Sequence, residues 1–250
     1  MKEELLKKRF VELARRSDST STYQFTDFLG LNEMSLFEEV KSEFCGINYK
    51  KFGGAAGCER VVVRFGDEES FGYDEEFPIS ILKISPVSQK FADRLTHRDF
   101  LGALLNLGIE REKLGDIAVI NNSAYLFLLS DVKEYVKDSL TRVKHTDVRL
   151  SEMENIDADS LFKTERRRVQ ISSERLDAVI SKLFNISRES SAALFKRGLV
   201  FINGRGCESI SKAPKENDVI SVRGYGKFIY RGFESETRKG KLNCLVDLYI

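Results

Sequence analysis

The sequence predicts an α+β fold in three successive parts. These are a helical amino-terminal region, a middle domain mixing strands with helices, and a carboxy-terminal unit in which two short helices feed a hairpin. Three observations carry this expectation. Apolar residues near the amino terminus recur at helical spacing. The middle reads strand, helix, strand, strand, helix, strand. Near the tail, two capped helical patterns precede Asn203-Gly204, a dipeptide suited to the φ > 0 pair of a tight hairpin turn.

The bulk numbers set the frame. A chain of 250 residues, 42% apolar and 32% charged, has room for two or three small domains. No apolar run reaches membrane-spanning length. The opening MKEELLKKRFVELARR is a charged amphipathic helix without the apolar core of a signal peptide. Cys45, Cys58, Cys207 and Cys244 are scattered, with no Cys-x-x-Cys pair, and read as reduced thiols of a cytoplasmic protein. His97 and His145 are isolated, so no metal site and no cofactor is expected. A net charge of +1 hides an asymmetry. Arg166 to Ile250 carries 17 Lys/Arg against 9 Asp/Glu, and the remainder 23 against 30. Such polarity turns one end of a protein toward a polyanion.

Taken in order, residues 1–45 read as helical, with Leu5, Leu6, Phe10 and Leu13 on one stripe. A second segment starts at Phe25-Thr26-Asp27-Phe28-Leu29 and ends near Gly30, and a third helix covers Ser35 to Phe44. The Gly-rich stretch from Phe52 to Arg60 precedes a strand from Val61 to Phe65. No strand before it, no helix after it and no Gly-Lys-Ser/Thr argue against a nucleotide loop, though Arg60 is placed to touch RNA backbone. Phe77 to Ile84 is a strand. Thr96 and Asp99 stand at capping-box spacing, and Gly108 follows the last apolar residue of that helix.

Ile117 to Ile120 and Ala124 to Leu129 are strands joined by Asn121-Asn122-Ser123. A helix from Asp131 to Leu140 and a last strand from Arg142 to Leu150 complete a ferredoxin-like, RRM-like layer. The strand Gly115 to Asn121 has no Phe or Tyr, which argues against base stacking on this sheet. Arg111 and Lys113 are candidate phosphate contacts. His97, Arg98 and Asp99 point in different directions on a helix and make no triad. The expected domains are therefore 1–75, 76–155 and 166–250, with the acidic SEMENIDADS as the linker.

In the last domain, Ser172 or Ser173 can cap a helix whose Leu176, Val179, Ile180 and Leu183 face a core, with Glu174 at its positive end. Ser187 can cap a second helix that stops at Gly198. Leu199 to Ile202, Val219 to Gly224, Gly226 to Gly232 and Lys241 to Ile250 are strands. Arg188 falls in the first turn of its helix, where the dipole disfavours a cation. That placement fits either an anion such as phosphate shared with free N–H groups, or a solvated basic face.

Arg175-Leu176-Asp177, Ser187-Arg188 and Lys196-x-Gly198-x-Val200-x-Ile202-Asn203-Gly204, continued by Asp218-Val219-Ile220-Ser221-Val222, resemble the S-four (alpha-L) RNA-binding domain. In that family two helices present Arg and Lys to structured RNA. The stretch Phe91 to Ile117, with Leu-Thr-His-Arg-Asp-Phe-Leu-Gly at its centre, resembles the YlmH family, and this likeness covers essentially the whole chain. It implies a bacterial, ribosome-associated RNA-binding factor. Such a factor binds a split large ribosomal subunit that still holds peptidyl-tRNA and supports carboxy-terminal tailing of the stalled chain.

The residues expected to meet ribosomal RNA and tRNA are Arg175, Arg188, Lys196, Arg197, Asn203 and Arg205, with Arg166, Arg167 and Arg168 either on phosphates or on a solvated strand edge. A monomer with no catalytic residue is expected. The alternative is an RNA-modifying enzyme, since S-four domains also occur on pseudouridine synthases and methyltransferases. The catalytic domain or Gly-rich cofactor loop that these need is not legible here. A scaffold or cell-division protein would need an exposed apolar patch.

Overall fold

The computed structural model describes residues 2–154, 156, 161–238 and 240–250. It divides into two compact units, Met1–Phe162 and Lys163–Ile250.

In the first unit, α1 (Lys2–Thr20) buries Phe10, Val11, Leu13 and Ala14, while Leu5 stays exposed. With α2 (Leu31–Val40) it packs on a small antiparallel sheet of β1 (Gln24–Phe25), β2 (Tyr49–Phe52) and β3 (Val62–Phe65), in the order β1-β3-β2. Two expectations fail here. Phe25 to Leu29 is extended rather than helical, because the Thr26 hydroxyl and carbonyl partners tie this run to Val63 and Leu29 bridges Val61. Gly30 instead caps α2, its N–H donating to the Glu33 carboxylate at 2.9 Å. A strand, β2, does precede the Gly-rich stretch, which is the loop of the β2–β3 hairpin. Most of β2 is exposed, so its pattern is too polar to read from sequence.

A single turn, α3 (Glu68–Phe71), leads to the ferredoxin-like layer: β4 (Ile79–Pro86), α4 (His97–Asn106), β5 (Leu114–Ile120), β6 (Ser123–Leu129), α5 (Lys133–Ser139), β7 (Arg142–Val143) and β8 (Thr146–Met153). The sheet order is β5-β6-β4-β8-β7, all antiparallel. The Thr96–Asp99 capping box forms, and Asn121 and Asn122 take φ of 48° and 64° in the β5–β6 turn. The single strand expected over 142–150 is a hairpin, broken at Lys144 with φ of 53°. Helices α4 and α5 cover one face, around Leu82, Ile84, Phe100, Leu104, Leu126 and Val136.

The opposite face is filled as well. Ile81, Ala118, Phe127 and Leu129 pack against Phe28, Val62 and Leu161. A Cβ on Gly115 would stand 2.8 Å from the Phe28 ring and 2.9 Å from Phe127 Cβ. An RRM stacks bases on this face. Aromatic side chains do occur on it, on β6 rather than β5, but Phe127 is fully buried by the amino-terminal region.

The second unit is a six-stranded antiparallel sheet with two helices on one face. Its elements are β9 (Thr164–Ile171), α6 (Leu176–Leu183), α7 (Arg188–Lys196), β10 (Val200–Ile202), β11 (Arg205–Gly206), β12 (Val219–Val222), β13 (Gly226–Glu236) and β14 (Leu242–Tyr249). The order is β11-β10-β12-β13-β14-β9. Leu176, Val179, Ile180, Leu194 and Phe195 meet Val169, Val200, Ile220, Phe228 and Val246 in one core. Of the expected linker, β8 takes Ser151 to Met153, and Asn155 with Asp157 to Ser160 lies outside the described residues.

Candidate nucleic-acid interface

The helix pair is built much as its pattern predicts. Ser187 accepts the Ser190 N–H at 3.0 Å, Gly198 closes α7 with φ of 64°, and Asn203 and Gly204 turn with φ of 48° and 78°. The first cap differs. Arg175, not Ser172 or Ser173, is the residue before α6, and it makes no side-chain cap. The Leu176 N–H donates instead to the Lys212 carbonyl at 2.9 Å, so a distant loop takes the place of a serine hydroxyl. Glu174 accepts a 2.6 Å bond from the Tyr230 hydroxyl.

The centre of the site is Asp177. Its side chain is 4% exposed, and two guanidiniums close on it: Arg175 Nε at 3.1 Å and Arg188 at 2.9 Å. Both arginines remain nearly half exposed. The Asp177 backbone carbonyl accepts a bond from the buried Ser191 hydroxyl at 2.8 Å, which ties α6 to α7 at the same point. Arg188 at the head of α7 is therefore balanced by a carboxylate of the protein itself. The triad carries two positive charges against one negative, and its outer N–H groups face solvent. That arrangement is pre-set for a phosphate, whose oxygens match the guanidinium fork.

The other expected residues divide. Lys196 and Arg197 are exposed at the carboxy-terminal end of α7, where the dipole favours cations. Arg205 is exposed on β11. Asn203 spends its amide internally, donating to Asp218 at 2.7 Å and accepting from Val219 N at 2.9 Å. Arg166, Arg167 and Arg168 lie on the edge strand β9, each against a carboxylate: Asp247 at 2.8 Å, Glu165 at 2.7 Å and Glu234 at 2.5 Å. Asp247 is a second buried carboxylate between two arginines, Arg166 and Arg231. Arg166 first, and Arg231 after it, hold its carboxyl below the usual range.

Three candidates in the first unit turn inward. Arg60 donates to the carbonyls of Leu114, Phe28 and Arg111, and Arg111 to those of Leu114 and Gly115. Burial, then the neighbouring Arg60, lowers Arg111 to about 10. Lys113 bridges Asp27 and Asp131. These cations brace the fold. Sequence reasoning missed Asp177 and Asp247 as organisers, because a lone Asp among basic residues reads as ordinary surface.

Residues 73–157 match the family model described as "Putative RNA-binding domain in YlmH". Ribosome-associated protein quality control protein P2 of Bacillus subtilis (strain 168) is 29% identical over 222 residues, 87% of this chain and 84% of its own length. The chain is thus similar to YlmH proteins over most of its length. Among solved structures, cell division protein YlmH from Streptococcus pneumoniae is 25% identical with a TM-score of 0.50, covering 63% of this chain and 96% of its own. The segment matched by the family model spans β4 to β8, the ferredoxin-like layer, and not the helix pair.

Proposed function

We propose that the protein binds structured RNA on the large ribosomal subunit, contacting ribosomal RNA and tRNA, and acts in ribosome-associated quality control by binding rather than by catalysis. The observation that carries this reading is the Arg175–Asp177–Arg188 fork, two solvent-facing guanidiniums held by one buried carboxylate. Fixing them before binding removes part of the ordering cost that flexible cations incur. Lys196, Arg197 and Arg205 extend the contact, and Arg166, Arg167 and Arg168 add a rim whose positive field is weakened by their carboxylates. Contacts of this kind set position on RNA and carry little base specificity. The similarity to the Bacillus subtilis quality-control protein supports the ribosomal setting; tailing of stalled chains is the process we assign to it.

The test is co-sedimentation of the full chain with large subunits over a salt series. Arg175→Ala with Arg188→Ala should abolish most binding while circular dichroism stays unchanged. It should also lower the slope of log affinity against log salt by about 1–2, at roughly 0.7–0.9 for each phosphate no longer neutralised. Unchanged sedimentation refutes the site. Turnover of labelled S-adenosylmethionine or of uridine-labelled RNA would refute the non-enzymatic reading.

A further inference from the structure

The loop between β4 and α4 displays an aromatic ring that the fold does not use. Phe91 is 81% exposed, and Val87 at the start of the loop is exposed too. A single exposed apolar residue is ordinary. What sets this one apart is how firmly its loop is held. The Val87 N–H donates to the Asp147 carbonyl at 2.9 Å. The Asp93 N–H donates to the Thr146 hydroxyl at 2.9 Å. Asn122 accepts the Leu95 N–H at 2.7 Å and donates its amide to the Asp93 carbonyl at 2.8 Å. Leu95 is buried below. The β5–β6 and β7–β8 turns thus clamp the loop, so the chain bears the entropic cost of ordering a segment that presents a ring to water.

The charges around the ring are of one sign. Lys90 Nζ sits 5.4 Å from the Phe91 centroid, and Arg94 is exposed three residues on. Among the described residues neither cation enters an ion pair, whereas the nearby Arg142 and Lys144 do, with Asp147 and Asp99. The one acid in the loop, Asp93, is turned inward. Its carboxylate accepts the His145 N–H at 3.2 Å and lies 3.4 Å from the Thr146 hydroxyl. This basic end belongs to a unit with 22 Lys/Arg against 29 Asp/Glu, so a general positive charge does not explain it. Between this loop and the β5–β6 turn a recess of about 560 Å³ is lined by Gln89, Arg94, Asn121 and Asn122 among others. Amides of this type donate to and accept from base edges.

We propose that this loop end is a binding site for single-stranded RNA. One base stacks on Phe91, its edge turns toward Gln89 and Asn121 in the recess, and Lys90 and Arg94 take the flanking phosphates. The site replaces the sheet face that an RRM uses, which the amino-terminal region fills here. It shares with the function proposed above only the premise that the chain binds RNA, and none of its residues belong to the helix pair.

The probe is a short fluorescein-labelled oligouridylate, titrated by anisotropy into the full chain carrying Arg175→Ala and Arg188→Ala. Adding Phe91→Ala should weaken the remaining binding about tenfold, within the range for one stacked base. Adding Lys90→Ala and Arg94→Ala instead should lower the salt slope by about 1.4, at roughly 0.7 for each phosphate on a single strand. Unchanged affinity and slope overturn the site. The unsubstituted chain is then crosslinked to thiouridine-labelled oligonucleotide and the crosslinked peptides are mapped. Crosslinks within 87–94 support the loop. Crosslinks confined to 171–205 overturn it and leave the helix pair standing, whereas the helix pair itself is judged by the co-sedimentation test above. A Phe91→Ala chain that binds the oligonucleotide normally yet loses large subunits would assign the ring to a protein partner and overturn the proposal.

Discussion

Asp177→Asn isolates the central physical claim, because it removes one charge and keeps shape and one acceptor oxygen. A hydrogen bond to a buried charged group contributes about 1.5–3 kcal/mol. Here the guanidiniums are 43% and 46% exposed, so water screening reduces each to roughly 1 kcal/mol, and the pair to about 2 kcal/mol. For a unit of this size roughly 1 kcal/mol moves the thermal midpoint by about 4–8 °C. The transition of the second unit should therefore fall by about 10 °C in calorimetry. Affinity for large subunits should fall as well. Releasing two arginines returns about 1 kcal/mol of rotamer freedom each, which binding must then remove, for a loss of roughly 30-fold. Because Asp177 and Arg188 touch, the double variant Asp177→Asn, Arg188→Ala should lose less than the sum of the two. Tighter RNA binding by Asp177→Asn would refute the reasoning, since the carboxylate would then be competing with phosphate rather than orienting the arginines.

Three further outcomes are expected. Gly115→Ala should destabilise the first unit by about 1–3 kcal/mol in denaturant titration, since its Cβ meets the Phe28 ring and Phe127; no change would mean that this sheet face is not packed. Asp247 is held below the ordinary aspartate value of about 3.9, so its contribution is complete above that value and is lost as pH falls through the lower folded one. Asp247→Asn should accordingly lower stability at neutral pH and flatten the acid limb of the unfolding curve, and parallel acid limbs would contradict the assignment. Burial, with Asp116 nearby, pushes the Cys58 thiol up to about 12, so iodoacetamide at neutral pH should label exposed Cys45 well before Cys58, as mass spectrometry of the peptides would show.

Local chemistry was enough to read much of this chain. Ser187, Gly198 and Asn203-Gly204 delimit α7 and its hairpin through preferences that act within a few residues, as do Thr96, Asp99 and Asn121-Asn122 in the middle domain. The strand and helix order of the ferredoxin-like layer follows from apolar periodicity for the same reason. What sequence left open depends on partners far along the chain. Phe25 to Leu29 is extended because Val61 and Val63 pair with it, and α6 begins at Leu176 because Lys212 accepts its N–H.

The site shows the same division. The order of basic residues drew attention to Arg175 and Arg188; Arg175 meets Asp177 two residues along its own segment, but only the packing of α6 on α7 brings Arg188 to the same carboxylate. Arg60, Arg111 and Lys113, which look like surface cations in one dimension, are spent on backbone carbonyls, β5's among them, and on the carboxylates of Asp27 and Asp131. Conversely, the exposed Phe91 has the character of a core residue. A side chain's type is a property of the sequence, whereas its burial and its counter-charge are properties of what folds over it.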